Sequence, residues 1–163
     1  MKDGRVASLV SVAASLASDY AALPQVEAIT VAGSLSFGAV DADSDIAKNH
    51  PILRRHFSSY LHQIELAVRR GDGLSVNHRV AALLASYFDI LFAVNRLPHP
   101  GEKRLIRYAE AHCTRLPVEM AHQVNALLAA AAQADEHIVA QTNALVDGLD
   151  RLLLEARLSV GER

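Results

Sequence analysis

The side chains best suited to chemistry lie in the stretch Val31-Ala32-Gly33-Ser34-Leu35-Ser36-Phe37-Gly38-Ala39-Val40-Asp41-Ala42-Asp43-Ser44-Asp45-Ile46. A short apolar run ends in Gly33-Ser34. A small-residue turn containing Gly38 follows, and an Asp-rich segment closes in Ser44-Asp45-Ile46. That order reads as the opening half of a nucleotide-binding catalytic motif. A calcium-loop reading of Asp41, Asp43 and Asp45 fails, because Ile46 stands where glycine is needed and Ile52 where the bidentate glutamate is needed. The bland alternative for these aspartates is local hydrogen bonding to the backbone of a turn.

The stretch resembles the entry to the active site of the DNA polymerase β-like nucleotidyltransferases. Their pattern is Gly-Ser, a short Gly-containing turn, then Ser-Asp-Ile-Asp on a strand. In that family a glycine after a strand lets the backbone approach a triphosphate closely. A serine hydroxyl and backbone N–H groups hold phosphate oxygens. Two aspartates at i and i+2 share one face of a strand and hold Mg²⁺, which activates the attacking hydroxyl and stabilises the leaving pyrophosphate. The resemblance therefore assigns phosphate contact to Gly33 and Ser34 and the first metal carboxylate to Asp45. The second carboxylate would fall at position 47, which is alanine. A register slid back by two would pair Asp43 with Asp45 instead. Family members carry several more strands after this motif, whereas this chain turns helical at once. The resemblance implies transfer of a nucleoside monophosphate from an NTP to a hydroxyl with Mg²⁺, impaired or lost here by the incomplete metal site.

A second stretch, Tyr87 to Leu105, looks like the helical C-terminal region attached to some bacterial nucleotidyltransferases. The matching residues are Phe88-Asp89, Leu91-Phe92-Ala93, Asn95-Arg96 and then His99-Pro100-Gly101-Glu102-Lys103. The resemblance puts Asp89, Asn95, Arg96, His99 and Lys103 on a cleft wall facing the nucleotide or acceptor, with Lys103 a nucleotide contact. The structural alternative makes Phe88, Leu91 and Phe92 core and the polar residues a helix end. An aspartate between Phe88 and Ile90 needs a partner if buried, and Arg96 and Lys103 are the nearest in sequence.

Other constellations carry less. Arg107 and His112 superficially match the Arg-x4–6-His motif of HEPN-type ribonucleases, in which the pair promotes 2′-hydroxyl attack and stabilises phosphate charge. His56, His62 and His78 lack the i, i+4 spacing of zinc ligands. Cys113 has a histidine neighbour only at His112, which points elsewhere on a helix. Arg54-Arg55 and Arg69-Arg70 read as solvated faces.

The elements that must position these residues are mostly helices. Val6 to Leu23 has the apolar spacing of an amphipathic helix ended by Pro24. Val26 to Gly33 is β-branched and bounded by Pro and Gly, which predicts a strand. Asp45-Ile46 begins a second strand that Lys48-Asn49-His50-Pro51 breaks. Pro51 suits a first helical position, and a helix is expected to Arg70, stopped by Gly71-Asp72-Gly73. Ser75 or Asn77 caps an apolar helix to Val94. Glu102–His112, Leu116 to about Ala132, and Asp135 or Thr142 to Leu158 complete the set.

The fold class expected is mainly α: a helical bundle carrying a short β remnant of an α/β nucleotidyltransferase domain, with residues 1–47 the remnant and 48–163 the helical domain. Hydrophobic residues make 51% of the 163 and charged residues 21%, ordinary globular proportions. The net charge of -2 gives no global basic field for nucleic acid. One cysteine excludes an internal disulfide and fits a reducing cytoplasm. No uninterrupted apolar run reaches the ~18 residues of a membrane span, and Ser8, Ser11 and Ser15 interrupt what would otherwise resemble a secretory leader. NTP is the expected ligand if the loop works. A homo-oligomer or a protein partner is the alternative, with the apolar helix Val80 to Val94 as its contact surface if that helix is not fully buried.

Overall fold

The computed structural model describes residues 42–134 and 136–156, together with Ser11, Ala14, Ser15, Ala17 and Ser18; the side chains of 42–45 lie outside the description. The chain divides into two compact units, Met1–Val40 and Asp41–Arg163. The five described residues of the first unit are helical, inside the helix expected over Val6 to Leu23. The strand expected over Val26 to Gly33 falls outside the described residues, as do Gly33, Ser34 and Gly38.

The second unit holds six helices: α1 (Ala42–Arg54), α2 (Tyr60–Arg69), α3 (Gly73–Val94), α4 (Leu105–His112), α5 (Met120–Gln133) and α6 (His137–Glu155). No strand occurs among the described residues. The mainly helical class is therefore right. The second strand at Asp45-Ile46 is a correction, because this segment is the second turn of α1. Packing decides it. Ile46, His50 and Leu53, spaced i, i+4, i+7, are all buried while Ala47 and Lys48 are exposed, and that is a helical stripe, not an alternation. Pro51 does not open a helix either; it lies inside α1, one turn from its end. Lacking an N–H, it gives the Ala47 carbonyl no helical donor.

The single helix expected from Ile52 to Arg70 is broken at residues 55–59. Ser59 restarts it as the N-cap of α2, its hydroxyl accepting from the His62 N–H at 3.4 Å. Gly71, at φ +66°, then turns the chain into α3. The cap of α3 is Asp72, not Ser75 or Asn77: its carboxylate accepts the Ser75 N–H at 3.0 Å and the Ser75 hydroxyl at 2.5 Å. Those bonds hold the Asp72 carboxyl below its ordinary range.

α3 is the axis of the unit and packs against α1, α2, α5 and α6. Its buried residues include Val76, Val80, Leu83 and every residue from Ser86 to Val94 except Asp89. A helix apolar on nearly every side belongs in an interior. Most of the apolar stretch Val80 to Val94 is thus taken up by the interior, with Ala81, Ala85 and Asp89 left exposed. α5 and α6 pair closely at Gly148, where a Cβ would meet Pro117 Cβ at 3.3 Å and Gln123 Oε1 at 3.2 Å. Among the described residues no helix is long and apolar enough to cross a membrane.

Candidate functional site

α3 ends at Asn95, whose side chain does more than cap. Its Nδ2 donates to the Leu91 carbonyl at 2.8 Å and to the Arg115 carbonyl at 2.9 Å, while its Oδ1 accepts the Arg115 N–H at 2.9 Å. One amide thus fastens the end of α3 to the chain beyond α4. The segment between is folded back on Phe92. His99 meets the Phe92 ring edge-on at 5.3 Å and Tyr108 does so at 5.6 Å; His112 lies over Tyr108 at 4.4 Å. The turn needs left-handed backbone at Arg96 (φ +52°), Gly101 (φ +93°) and Arg104 (φ +57°). The last two explain why α4 starts at Leu105 and not at Glu102.

Of the five residues expected to form a cleft wall, the fold brings two together. His99 Nε2 stands 3.8 Å from Asp89 Oδ1, and His99 Nδ1 accepts the Gly101 N–H at 3.1 Å. Asp89 is exposed, so the desolvation that would have demanded Arg96 or Lys103 does not arise. Arg96 and Lys103 are exposed, and Asn95 serves the backbone. An open depression of about 360 Å³ is lined by Glu110, Leu116, Pro117, Glu119, Met120, Ala121 and His122. None of the five expected residues contributes to it.

Asp43 and Asp45 lie in the first turns of α1. The i, i+2 spacing that shares one face on a strand does not share one on a helix. Among the described residues no group of three or more His, Cys, Asp or Glu side chains is arranged to hold a metal ion. Arg107 and His112, five apart on α4, are separated by about 140° around its axis at 3.6 residues per turn. His62 stacks on Phe57 at 4.7 Å and lies 3.7 Å from Glu65. Burial pushes the Cys113 thiol up, away from the reactive thiolate.

The most ordered polar constellation was not anticipated from sequence. His50 and Arg54 of α1 face Asp147 and Asp150 of α6. The His50 imidazole, 1% exposed, donates from Nε2 to Asp150 Oδ1 at 2.5 Å. Arg54 donates to Asp147 Oδ1 at 2.5 Å and also to Asp150 Oδ2. Burial opposes the charge of Asp150, but the hydrogen bonds from His50 and Arg54 hold its carboxyl below the usual range. Burial likewise opposes the Arg54 charge, and the two carboxylates outweigh it. His50 Nδ1, Tyr87 Oη and Gln123 Oε1 are buried without a hydrogen-bond partner. The sequence did carry a signal: a basic i, i+4 pair on one helix and an acidic i, i+3 pair on another can meet as two complementary faces.

Comparison of the chain with family models, curated proteins and solved structures gives no match.

Proposed function

We propose that residues 41–163 form a non-catalytic recognition module, and that the chain descends from the nucleotidyltransferases without performing nucleotidyl transfer by itself. The observation that carries this reading is the state of Ser44-Asp45-Ile46. In the intact motif this tripeptide sits on a strand and presents carboxylates to Mg²⁺. Here it is helical, and Ile46 is 1% exposed within the core of the bundle. Two-metal displacement needs carboxylates converging on both ions, and neither the helical backbone nor Ala47 supplies that convergence.

What favours a recognition role is the division of labour within the unit. The interior is an apolar bundle around α3. The polar residues of Asn95 to Arg115 are displayed on a turn that the Asn95 amide and the Phe92 ring hold in shape. A loop held in shape by a rigid scaffold is a common place for binding residues.

The test is isothermal titration of ATP and the other NTPs with Mg²⁺, on the wild type and on Asp45→Ala. The reading expects no metal-dependent heat at millimolar nucleotide. Metal-dependent binding that Asp45→Ala removes would overturn it and restore a working nucleotide site at Gly33, Ser34 and Asp45.

A further inference from the structure

The surface between Asn95 and Arg115 concentrates positive charge that the fold does not use. It holds Arg96, Lys103, Arg104, Arg107 and Arg115 against Glu102, Glu110 and the neighbouring Asp89 of α3, which lies 3.8 Å from His99, in a chain whose net charge is -2. All five cations are exposed, and among the described residues none is ion-paired, in contrast to Arg54. Two features gather them. The Asn95 amide bonds the Arg115 backbone at 2.9 Å, so Arg96 and Arg115 flank one clamp. On α4, Ala109 faces inward, fully buried, whereas Arg107, Glu110 and Ala111 are exposed, as is Arg104 at its N-terminal boundary. Lys103 and Arg104 lie just before α4 and Arg107 in its first turn, so three exposed cations fall within five residues of chain. Glu110 shares the face but forms no ion pair with them.

Rings are interleaved with these cations. His99 and Tyr108 lean edge-on against Phe92, and His112 overlies Tyr108. Apolar anchors are missing from the patch: the exposed large hydrophobic residues of the described structure are Phe57, Leu74, Val118, Leu128 and Leu154, all outside it. Cations that track a phosphate backbone, beside rings on which bases stack, suit a single-stranded nucleic acid. A lipid surface would call for apolar side chains to insert.

We propose that the Asn95–Arg115 surface docks single-stranded nucleic acid through its phosphates. The proposal rests on the recognition-module reading and names its partner. The measurement is fluorescence anisotropy of a labelled single strand of about 20 nucleotides, as RNA and separately as DNA. It uses the full chain at about 50 mM salt, without nucleotide or Mg²⁺. The absence of both keeps a failure here separate from a failure of the calorimetric test. Arg104→Glu with Arg107→Glu is compared with Arg69→Glu and Arg70→Glu, an equal charge change on two exposed arginines at the far end of α2. Thermal melts check that both fold. Lys103→Gln with Arg104→Gln, which lie before α4, serves if the first pair does not.

The expected result is saturable binding that weakens steeply with added salt. The Arg104/Arg107 reversal should reduce affinity at least about tenfold and the Arg69/Arg70 reversal less than about twofold. A preference for RNA over DNA would assign the sugar. Absence of saturable binding to either strand would overturn the proposal. So would equal losses in the two reversals, or capture by anionic phosphatidylglycerol vesicles that the strand cannot displace.

Discussion

Asp150 of α6 receives the Nε2 hydrogen of His50 from α1 at 2.5 Å, and the same carboxylate receives Arg54 through its other oxygen. One carboxylate thus ties the first helix of the unit to the last, a hundred residues away in sequence. Replacing Asp150 by Asn should lower unfolding stability at pH 7 by about 1.5–3 kcal/mol, the range for hydrogen bonds to charged groups. The pH dependence follows from the depressed carboxyl. Its folded value lies below the ordinary 3.8, so its contribution is complete above that value and is lost as pH falls through the folded one. Denaturant melts at several pH values should therefore show wild type and variant converging below about pH 4. A gap that stays constant into acid would count against this account.

The Asn95 amide makes three backbone hydrogen bonds across the base of the 95–115 segment. Asn95→Ala should cost about 1–3 kcal/mol, since it leaves several groups unpaired. The loss should be local as well as global. Amide hydrogen exchange should accelerate across residues 96–115 more than across α5 and α6. Uniform acceleration through the bundle would show that the clamp has no special hold on this segment.

Gly148 lies where α6 crosses Pro117 and Gln123, with 3.2–3.3 Å to the nearest heavy atoms for any added Cβ. The Gln123 side chain can give way, whereas the Pro117 ring cannot. Gly148→Val should destabilise by about 1–3 kcal/mol through overpacking, despite the loss of glycine from a helix interior. A melting temperature at or above wild type would refute the close packing.

Tyr87 places its hydroxyl in the core without a partner, and burial drives its ionisation well above the ordinary value for tyrosine. Removing that hydroxyl removes a desolvated polar group and leaves the ring packing intact. Tyr87→Phe should then be neutral or stabilising by up to about 1 kcal/mol. A clear loss of stability would mean that the hydroxyl is satisfied in solution, most simply by an internal water.

Helices were legible in the sequence wherever period and punctuation agreed. α3 shows this best: Gly71-Asp72-Gly73 marks its start, its apolar run has no rival reading, and Asn95 ends it. The cap itself was misassigned because Asp72 was read as part of a stop, although an aspartate three residues before Ser75 is also a start signal. α1 was misread for a deeper reason. Ser44-Asp45-Ile46 resembles a strand motif and overlaps the i, i+4, i+7 stripe of Ile46, His50 and Leu53, and Pro51 has the look of a boundary although it lies inside the helix. The pairing of His50 and Arg54 with Asp147 and Asp150 depends on which helices adjoin, and that is set by the tertiary fold. The contact of His99 with Asp89 depends on three left-handed residues, which local propensity does not announce for Arg96 and Arg104.

The Asn95–Arg115 bonds also bear on how this chain can vary. They close a twenty-residue circuit without a covalent bond. Within the interval Ala109 is buried, and Leu97, Leu105, Ile106, Tyr108 and Cys113 pack against the core, whereas residues 98–104 are exposed. Loop-closure cost rises only slowly with length, so residues added or exchanged within the exposed stretch 98–104 would cost the core little, whereas a change at Ala109 would not. That short stretch is the exchangeable part of a fixed socket: descendants of one scaffold could present different surfaces there while keeping the same α3, α4, α5 and α6.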